Sequence, residues 1–203
     1  VRVVYDVYDG NETLLARLRQ GNPGYDLAFP TDYAIVIMQT EGLIQPVDLE
    51  KVPNIANIDP RWLNMPFDPE QEFAVPYMWG SMGIAYNVNK VSEPVTSWEQ
   101  FFNHDGPVAW IGDSRSMLSI ALRVLVYDAN SITPEEITAA KDYLLEHSEN
   151  LVAVAADDGQ ALLERGEVDM VIEYGGDIFQ LINDCDCEDY NYVLPEEGTI
   201  LNL

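Results

Sequence analysis

The chain has 203 residues, of which 47% are hydrophobic and 22% charged, a balance typical of a globular protein of one or two domains. Ten Lys and Arg stand against 35 Asp and Glu, which gives a formal net charge of −25. This charge excludes the basic face that nucleic-acid binding requires, and no apolar run reaches the roughly 18 residues of a membrane span. The acidic field attracts cations, although most of these charges are expected to form a solvated surface.

Strand-like and helical segments alternate along the chain, which predicts α/β layers around a largely parallel sheet. In the first part, the pattern predicts strands at 1–8, 25–29, 73–77 and 82–88, and helices at 11–20 and 32–41. Asn11 is expected to cap the first helix, and Gly42 to close the second. Residues 45–72 are rich in Pro and Asp and are predicted to be irregular, apart from one helical turn at 59–63.

The second part repeats the alternation. A helix is predicted to begin within 95–99, followed by helices at 114–126, 134–147, 157–165 and 176–183 and strands at 108–111, 151–155, 168–173, 190–194 and 199–203. The division between two lobes is predicted after residue 87, so that the domains are 1–87 and 88–203. Two α/β lobes joined by extended crossings form a hinged cleft, a preferred place for a small ligand.

Two cysteines, Cys185 and Cys187, are separated by one residue. They are too few for a disulfide framework or a four-ligand metal site. The short spacer predicts a strained bond between them, and the acidic neighbours should keep both thiols poorly ionised. We expect a structural or incidental role, with no cofactor and no metal.

Enzymatic chemistry finds little support in the sequence. The histidines, His104 and His147, lie in a polar loop and at a helix end, without a nucleophile turn, a phosphate loop or a metal-spaced partner. Paired carboxylates could serve glycoside hydrolysis, but 35 acids make such pairs uninformative. The sequence therefore favours a binding protein over an enzyme.

Eight short segments, taken in order, carry a resemblance to a known family. They are YDGNET (8–13), GYDLAFPTDY (24–33), EGLIQ (41–45), NMPFDP (64–69), VPYMWG (75–80), VTSW (95–98), YGGD (174–177) and PEEG (195–198). Together they resemble the spermidine/putrescine-binding proteins of ABC-type importers, which have the type II periplasmic-binding-protein fold. The order and spacing hold over essentially all 203 residues.

The resemblance implies two α/β lobes with a ligand cleft between them, a polyamine ligand, a membrane permease as partner, and no nucleic acid. It also implies a periplasmic or extracellular location, with or without a lipid anchor, and an export signal outside this segment. Lobe 1–87 would lack its first strand and its C-terminal return. In lobe 88–203, the last few residues would cross back to the first lobe.

A polyamine poses a defined problem, because its ammonium groups need carboxylates or other acceptors and its methylene chain needs apolar walls. Aromatic rings serve both needs. By resemblance, the expected ligand contacts are Thr31, Asp32, Tyr33, Asp113, Ser116, Tyr174 and Asp177. Other roles stay open for four of them: a helix cap for Asp32, a dipole-complementing acid for Asp177, a core tyrosine for Tyr174, and neutralisation by Arg115 for Asp113.

The sequence departs from the family at two positions. Ser116 stands where spermidine binders tend to carry Glu, and Asn202 replaces the usual cleft Trp. A shorter or chemically different ligand is therefore an alternative, as are ferric iron, an amino acid or a sugar in the same fold, or a surface protein without a transport role. Trp79 and Trp98 are expected to be packing residues, and period-two alternation places Glu173 opposite Tyr174.

Overall fold

A computed structural model describes residues 2–21, 23–156, 158–185 and 187–203. The predicted strand start at Val1 and helix start at Asp157 lie outside these residues. The chain forms two compact units, Val1–Trp79 with Asn202–Leu203, and Gly80–Leu201. The division therefore lies before the strand at 80–87 rather than after it, because that strand is hydrogen-bonded to strands of the second unit.

The first unit is built on two helices, α1 (Asn11–Arg19) and α2 (Asp32–Thr40). Three short 3-10 helices follow, at Leu49–Lys51, Pro53–Asn57 and Pro60–Trp62. Both predicted α-helices and the single turn near residue 60 are confirmed, and Gly42 closes α2 in the left-handed conformation, with φ +66°. Leucines of α1 pack against Ala34 and Met38 of α2 to form a small buried core.

The strands predicted at 1–8, 25–29 and 73–77 are wrong. Among the described residues, none of these segments is a strand, and several of their large side chains are exposed, such as Val4 (81%), Leu27 (79%) and Tyr77 (79%). A β-rich sequence becomes a strand only when a neighbouring strand satisfies its backbone. No ladder joins these segments to another described part of this unit.

The irregular segment of the first unit is organised by one buried carboxylate. Asp68 is almost fully buried and accepts three backbone N–H bonds, from Glu72, Phe73 and Ala74, each at 2.9 Å. Charge-assisted bonds of this kind are about twice as strong as neutral ones. Residues 68–74, which follow the 3-10 helices, thus have a defined conformation without regular secondary structure.

The second unit has an α/β architecture. Its strands are β1 (Gly80–Asn87), β2 (Val108–Ile111), β3 (Leu151–Ala155), β4 (Met170–Tyr174) and β5 (Tyr190–Val193), and β6 (Leu201–Asn202) begins at its last residue. Its helices are α3 (Trp98–Phe102), α4 (Ser114–Val124), α5 (Pro134–Glu146), α6 (Gly159–Glu164) and α7 (Gly175–Cys185). β2 and β3 have the predicted bounds. Within the described ranges, no helix has the length and apolar character needed to cross a bilayer.

The sheet has the order β3-β2-β4-β1-β5, with β6 paired to β1. β2 runs parallel to β3 and β4, whereas β1 runs antiparallel to β4 and β5. The expectation of a largely parallel sheet is therefore wrong, because β1 enters the sheet from outside the βαβ units. One face of the sheet packs against α3 and α4, and the other against α6 and α7.

Two tryptophans illustrate different environments. Trp98 is fully buried, and its indole N–H donates to the Gly198 carbonyl at 2.8 Å, as a packing residue does. The preceding Ser97 forms a capping box that starts α3. Trp79, in contrast, is about half exposed and stacks on Trp62 with ring centroids 5.1 Å apart.

Cys185 and Cys187 form a disulfide, with 5.2 Å between their Cα atoms. This separation lies within the usual range for disulfides. The expectation of two poorly ionised thiols is wrong, since bonded cysteines do not titrate.

Because the phenol of Tyr192 is largely buried, we expect the free energy of unfolding to fall in alkaline solution. Burial, with a smaller contribution from Glu173, raises the pKa of Tyr192 to about 12. The folded state therefore favours the neutral phenol. The contribution of this phenol to the free energy of unfolding is complete below pH 10 and is lost between pH 10 and about 12, the pKa in the folded state. Urea denaturation at pH 9 and pH 11 should show a smaller loss of unfolding free energy in Tyr192→Phe than in the wild type. Equal losses would contradict this assignment.

Candidate ligand-binding residues

Four of the predicted contacts lie at one edge of the sheet in the second unit. β2 and β4 are parallel neighbours in the register Ala109–Val171, so their carboxyl ends meet at the same edge. α4 begins shortly after β2, and α7 begins directly after β4. This edge of an open α/β sheet is where ligands collect. The fold thus brings Asp113, Ser116, Tyr174 and Asp177 to a common edge.

Asp113 is the N-cap of α4. Its carboxylate accepts the backbone N–H of Ser116 at 2.9 Å, and the side chain is partly exposed. Ser116 itself is only 3% exposed. The cap therefore uses one carboxylate oxygen of Asp113 and fixes the first turn of the helix at the edge of the sheet.

Tyr174 and Asp177 flank the junction between β4 and α7. Tyr174 is the last residue of β4, is partly buried, and its ring lies against Gly80, where a Cβ atom would be 3.3 Å from Cδ1. Asp177 lies in the first turn of α7, where the helix dipole favours a negative charge. One aromatic ring and one carboxylate are thus carried by a single short segment.

Glu173 lies next to Tyr174 but on the opposite face of the sheet, which confirms the predicted alternation. Its side chain is fully buried. Its carboxylate accepts the backbone N–H of Tyr174 at 2.9 Å and that of Gly159, at the start of α6, at 3.1 Å. Glu173 therefore ties the end of β4 to the neighbouring helix α6 from within the core.

The other three predicted contacts begin α2 in the first unit. Thr31 is the N-cap, so the cap assigned to Asp32 as an alternative belongs to its neighbour. Asp32 accepts the backbone N–H of Tyr33 at 2.7 Å, and its own N–H donates to the Leu203 carbonyl at 3.0 Å. All three side chains are partly buried.

Asn11 is a buried residue of α1 that contacts two of these side chains, and its predicted role as a cap is wrong. Gly10 occupies the cap position. The Asn11 amide donates to Thr31 Oγ1 at 2.8 Å and to Tyr33 Oη at 3.1 Å, and its oxygen accepts the Thr31 N–H at 3.3 Å. An Asn beside a Gly at a helix start is typical of a cap, so its tertiary contacts were not visible in the sequence.

The structure thus gathers the predicted residues in two groups, three at the start of α2 in the first unit and four at one sheet edge of the second. Within the described ranges, no three His, Cys, Asp or Glu side chains are arranged to hold a metal ion.

Comparisons with known proteins identify the family to which this chain is similar. A family model described as bacterial extracellular solute-binding protein matches residues 1–203. The chain is 36% identical over 183 residues to the spermidine/putrescine-binding periplasmic protein of Escherichia coli K12, covering 88% of this chain and 53% of that protein. It is 30% identical over 220 residues to the putrescine-binding periplasmic protein PotF of the same organism, covering 98% of this chain and 60% of that protein.

Solved structures give the same result. The spermidine/putrescine ABC transporter substrate-binding protein PotD of Streptococcus pneumoniae matches 99% of this chain with a TM-score of 0.76 and 31% identity, over 62% of its own length. The TpPotD lipoprotein of Treponema pallidum matches 99% of this chain with a TM-score of 0.87 and 27% identity, over 66% of its own length. The chain spans about half the length of the first curated relatives it matches. These similarities confirm the resemblance and the α/β fold class predicted from the sequence.

Proposed function

Because this chain belongs to the bacterial extracellular solute-binding protein family, we propose that it is the substrate-binding component of an ABC importer and captures a polyamine. The observation that carries the proposal is the 36% identity to a protein named for binding spermidine and putrescine. The seven predicted contacts are the proposed ligand residues.

The chemistry of these residues suits an organic cation. Asp113 and Asp177 can accept hydrogen bonds from ammonium groups and offset their charge. The ring of Tyr174 can cover methylene groups and attract a cation to its face. The net charge of −25 raises the encounter rate with cations.

A shorter diamine is a second candidate. Ser116 and Asn202 stand where the family tends to carry Glu and Trp, so one carboxylate and one ring of the usual spermidine set are missing. Putrescine, with two ammonium groups, needs fewer partners than spermidine. The relative PotF, named for putrescine binding, is 30% identical to this chain.

The proposal includes a partner and a location. An importer requires a membrane permease to receive the ligand, and its binding component works in the periplasm or on the outer side of the cell membrane. A binding component releases its ligand unchanged, so no enzymatic turnover is part of this proposal.

Ligand-induced stabilisation tests the proposal. Putrescine or spermidine should raise the melting temperature, because a ligand that binds only the folded state at 100 times its Kd adds about 2.7 kcal/mol to the unfolding free energy. 1,4-Butanediol, which matches putrescine in length without its charges, is the control and should produce no shift. A larger shift with putrescine than with spermidine would favour the shorter ligand. If amines leave the melting temperature unchanged while a sugar or an amino acid raises it, the polyamine assignment fails.

A further inference from the structure

The ring of Tyr192 lies directly against the main chain at two glycines of the second unit. Tyr192 is in β5, which pairs with β1 in the register Ala85–Tyr192. A Cβ atom at Gly83, in β1, would be 2.6 Å from Tyr192 Cζ, which is closer than real Cβ contacts. A Cβ atom at Gly175, the first residue of α7, would be 3.2 Å from Tyr192 Cε1 and Oη. The ring therefore occupies space that side chains at these two positions would fill.

Two further contacts hold the ring in this place. The Tyr192 hydroxyl donates to the backbone carbonyl of Ser81, in β1, at 2.9 Å. The ring of Phe179, one turn along α7 from Gly175, meets the Tyr192 ring edge to face with centroids 5.4 Å apart. A largely buried hydroxyl is costly without a partner, so the bond to Ser81 opposes a displacement of the ring.

The ring contact reaches a proposed ligand residue through the helix. Gly175 is buried, and Asp177 follows two residues later in the same first turn of α7. The backbone of a helical turn moves as a unit because its dihedral angles and rise per residue are fixed. A shift of Gly175 therefore carries the Asp177 backbone with it. Binding groups work within about 0.5 Å of their productive geometry, so such a shift is large enough to weaken an ion pair.

We infer that Tyr192, tethered to Ser81, is a positioning residue that sets the place of the first turn of α7, and with it Asp177, by packing on Gly175. This inference rests on the proposed function and adds to it a residue outside the predicted contact set. Tyr192 acts through α7 rather than by touching the ligand. Gly175 is required for the close approach of the ring, because its φ is not in the left-handed region that favours glycine.

Gly175→Ala in three backgrounds tests the inference. Alanine fits the backbone there, but its methyl group must displace either the tethered ring or the start of α7. In the Tyr192 background we expect the Kd for putrescine, measured by isothermal titration calorimetry, to rise about three- to tenfold. Tyr192→Phe keeps the ring without its tether, so Gly175→Ala should raise the Kd by a smaller factor there. In Tyr192→Leu the ring is absent, and Gly175→Ala should change the Kd by less than about twofold.

Gly176→Ala is the matched control. Gly176, the next residue of α7, is exposed, and no described atom lies within 4 Å of a Cβ atom built on it. Its alanine variant should keep the Kd within about twofold of the wild-type value. An equal rise in Gly175→Ala and Gly176→Ala would mean that a methyl group obstructs the ligand directly, which overturns the inference. The same factor for Gly175→Ala in all three backgrounds also overturns it. If Tyr192→Leu does not fold, equal factors in the Tyr192 and Tyr192→Phe backgrounds decide against the tethered ring.

A second readout separates this inference from the proposed function. In the ligand-free protein, Gly175→Ala should shift the backbone amide resonance of Asp177 further in the Tyr192 background than in Tyr192→Leu. If the wild type binds no putrescine, the proposed function fails, and this difference alone decides whether Tyr192 positions the start of α7. If the wild type binds putrescine but either the Kd or the Asp177 resonance responds to Gly175→Ala equally in both backgrounds, the positioning role is wrong.

Discussion

Asp177→Asn is expected to weaken putrescine binding about 10- to 100-fold, because the variant keeps the size of the side chain but loses the charge that pairs with an ammonium group. Hydrogen bonds to charged groups contribute about 1.5–3 kcal/mol, and each 1.4 kcal/mol changes the Kd tenfold. Asp177 lies in the first turn of α7, where the helix dipole favours the ionised carboxylate. Isothermal titration calorimetry with putrescine measures the effect.

Asp184→Asn is the matched control, because Asp184 lies in the last turn of the same helix and is exposed. It removes the same charge from the same element, and the Kd should remain within about twofold of the wild type because exposed, distant charges are screened. An equal loss in both variants would mean that the overall acidic field, rather than Asp177, governs binding. An unaffected Asp177→Asn protein would remove this residue from the proposed contacts.

The parts of the fold that were predicted correctly depend on local signals. Ser97 with its capping box, Gly42 at the end of α2, and the continuous apolar run of β2 each act within a few residues of the chain. The direction of β1 and the absence of a strand at 25–29 depend on which strands pair, which is a property of distant segments. Composition and periodicity carry no information about pairing partners.

The candidate site could likewise be predicted only where the signals are local along the chain. The sequence placed Asp113 and Asp177 after strands, and the parallel pairing of β2 with β4 brings them to one edge. It missed Asn11, because a cap and a tertiary hydrogen bond use the same residue type. It placed Glu173 opposite Tyr174 but gave no role for its carboxylate, because that role depends on Gly159, 14 positions earlier in the chain.

Gly159→Ala is expected to lower the unfolding free energy by about 2–4 kcal/mol, although alanine is normally the better helix residue. Gly159 is the buried first residue of α6, and its N–H donates to Glu173 Oε2. A Cβ atom there would come closer to that oxygen than real Cβ contacts do, and within 2.8 Å of Val171 Cγ2. The carboxylate cannot move aside into solvent because it is fully buried, so the hydrogen bond is lost. Urea denaturation measures the difference.

Gly176→Ala and a double-mutant cycle identify the cause. Gly176, in the first turn of α7, is exposed and has nothing within 4 Å of a built Cβ atom, so its alanine variant should be neutral or more stable by up to about 1 kcal/mol. In a Glu173→Ala background the carboxylate is absent, and Gly159→Ala should lose most of its effect, which gives a coupling energy of about 1–3 kcal/mol. Additive effects would show that the Glu173 carboxylate is not the cause and that Val171 or the backbone of α6 requires the glycine. Coupled effects would show that a buried carboxylate, the same one that receives the Tyr174 N–H, holds the end of β4 where the proposed ligand residues begin.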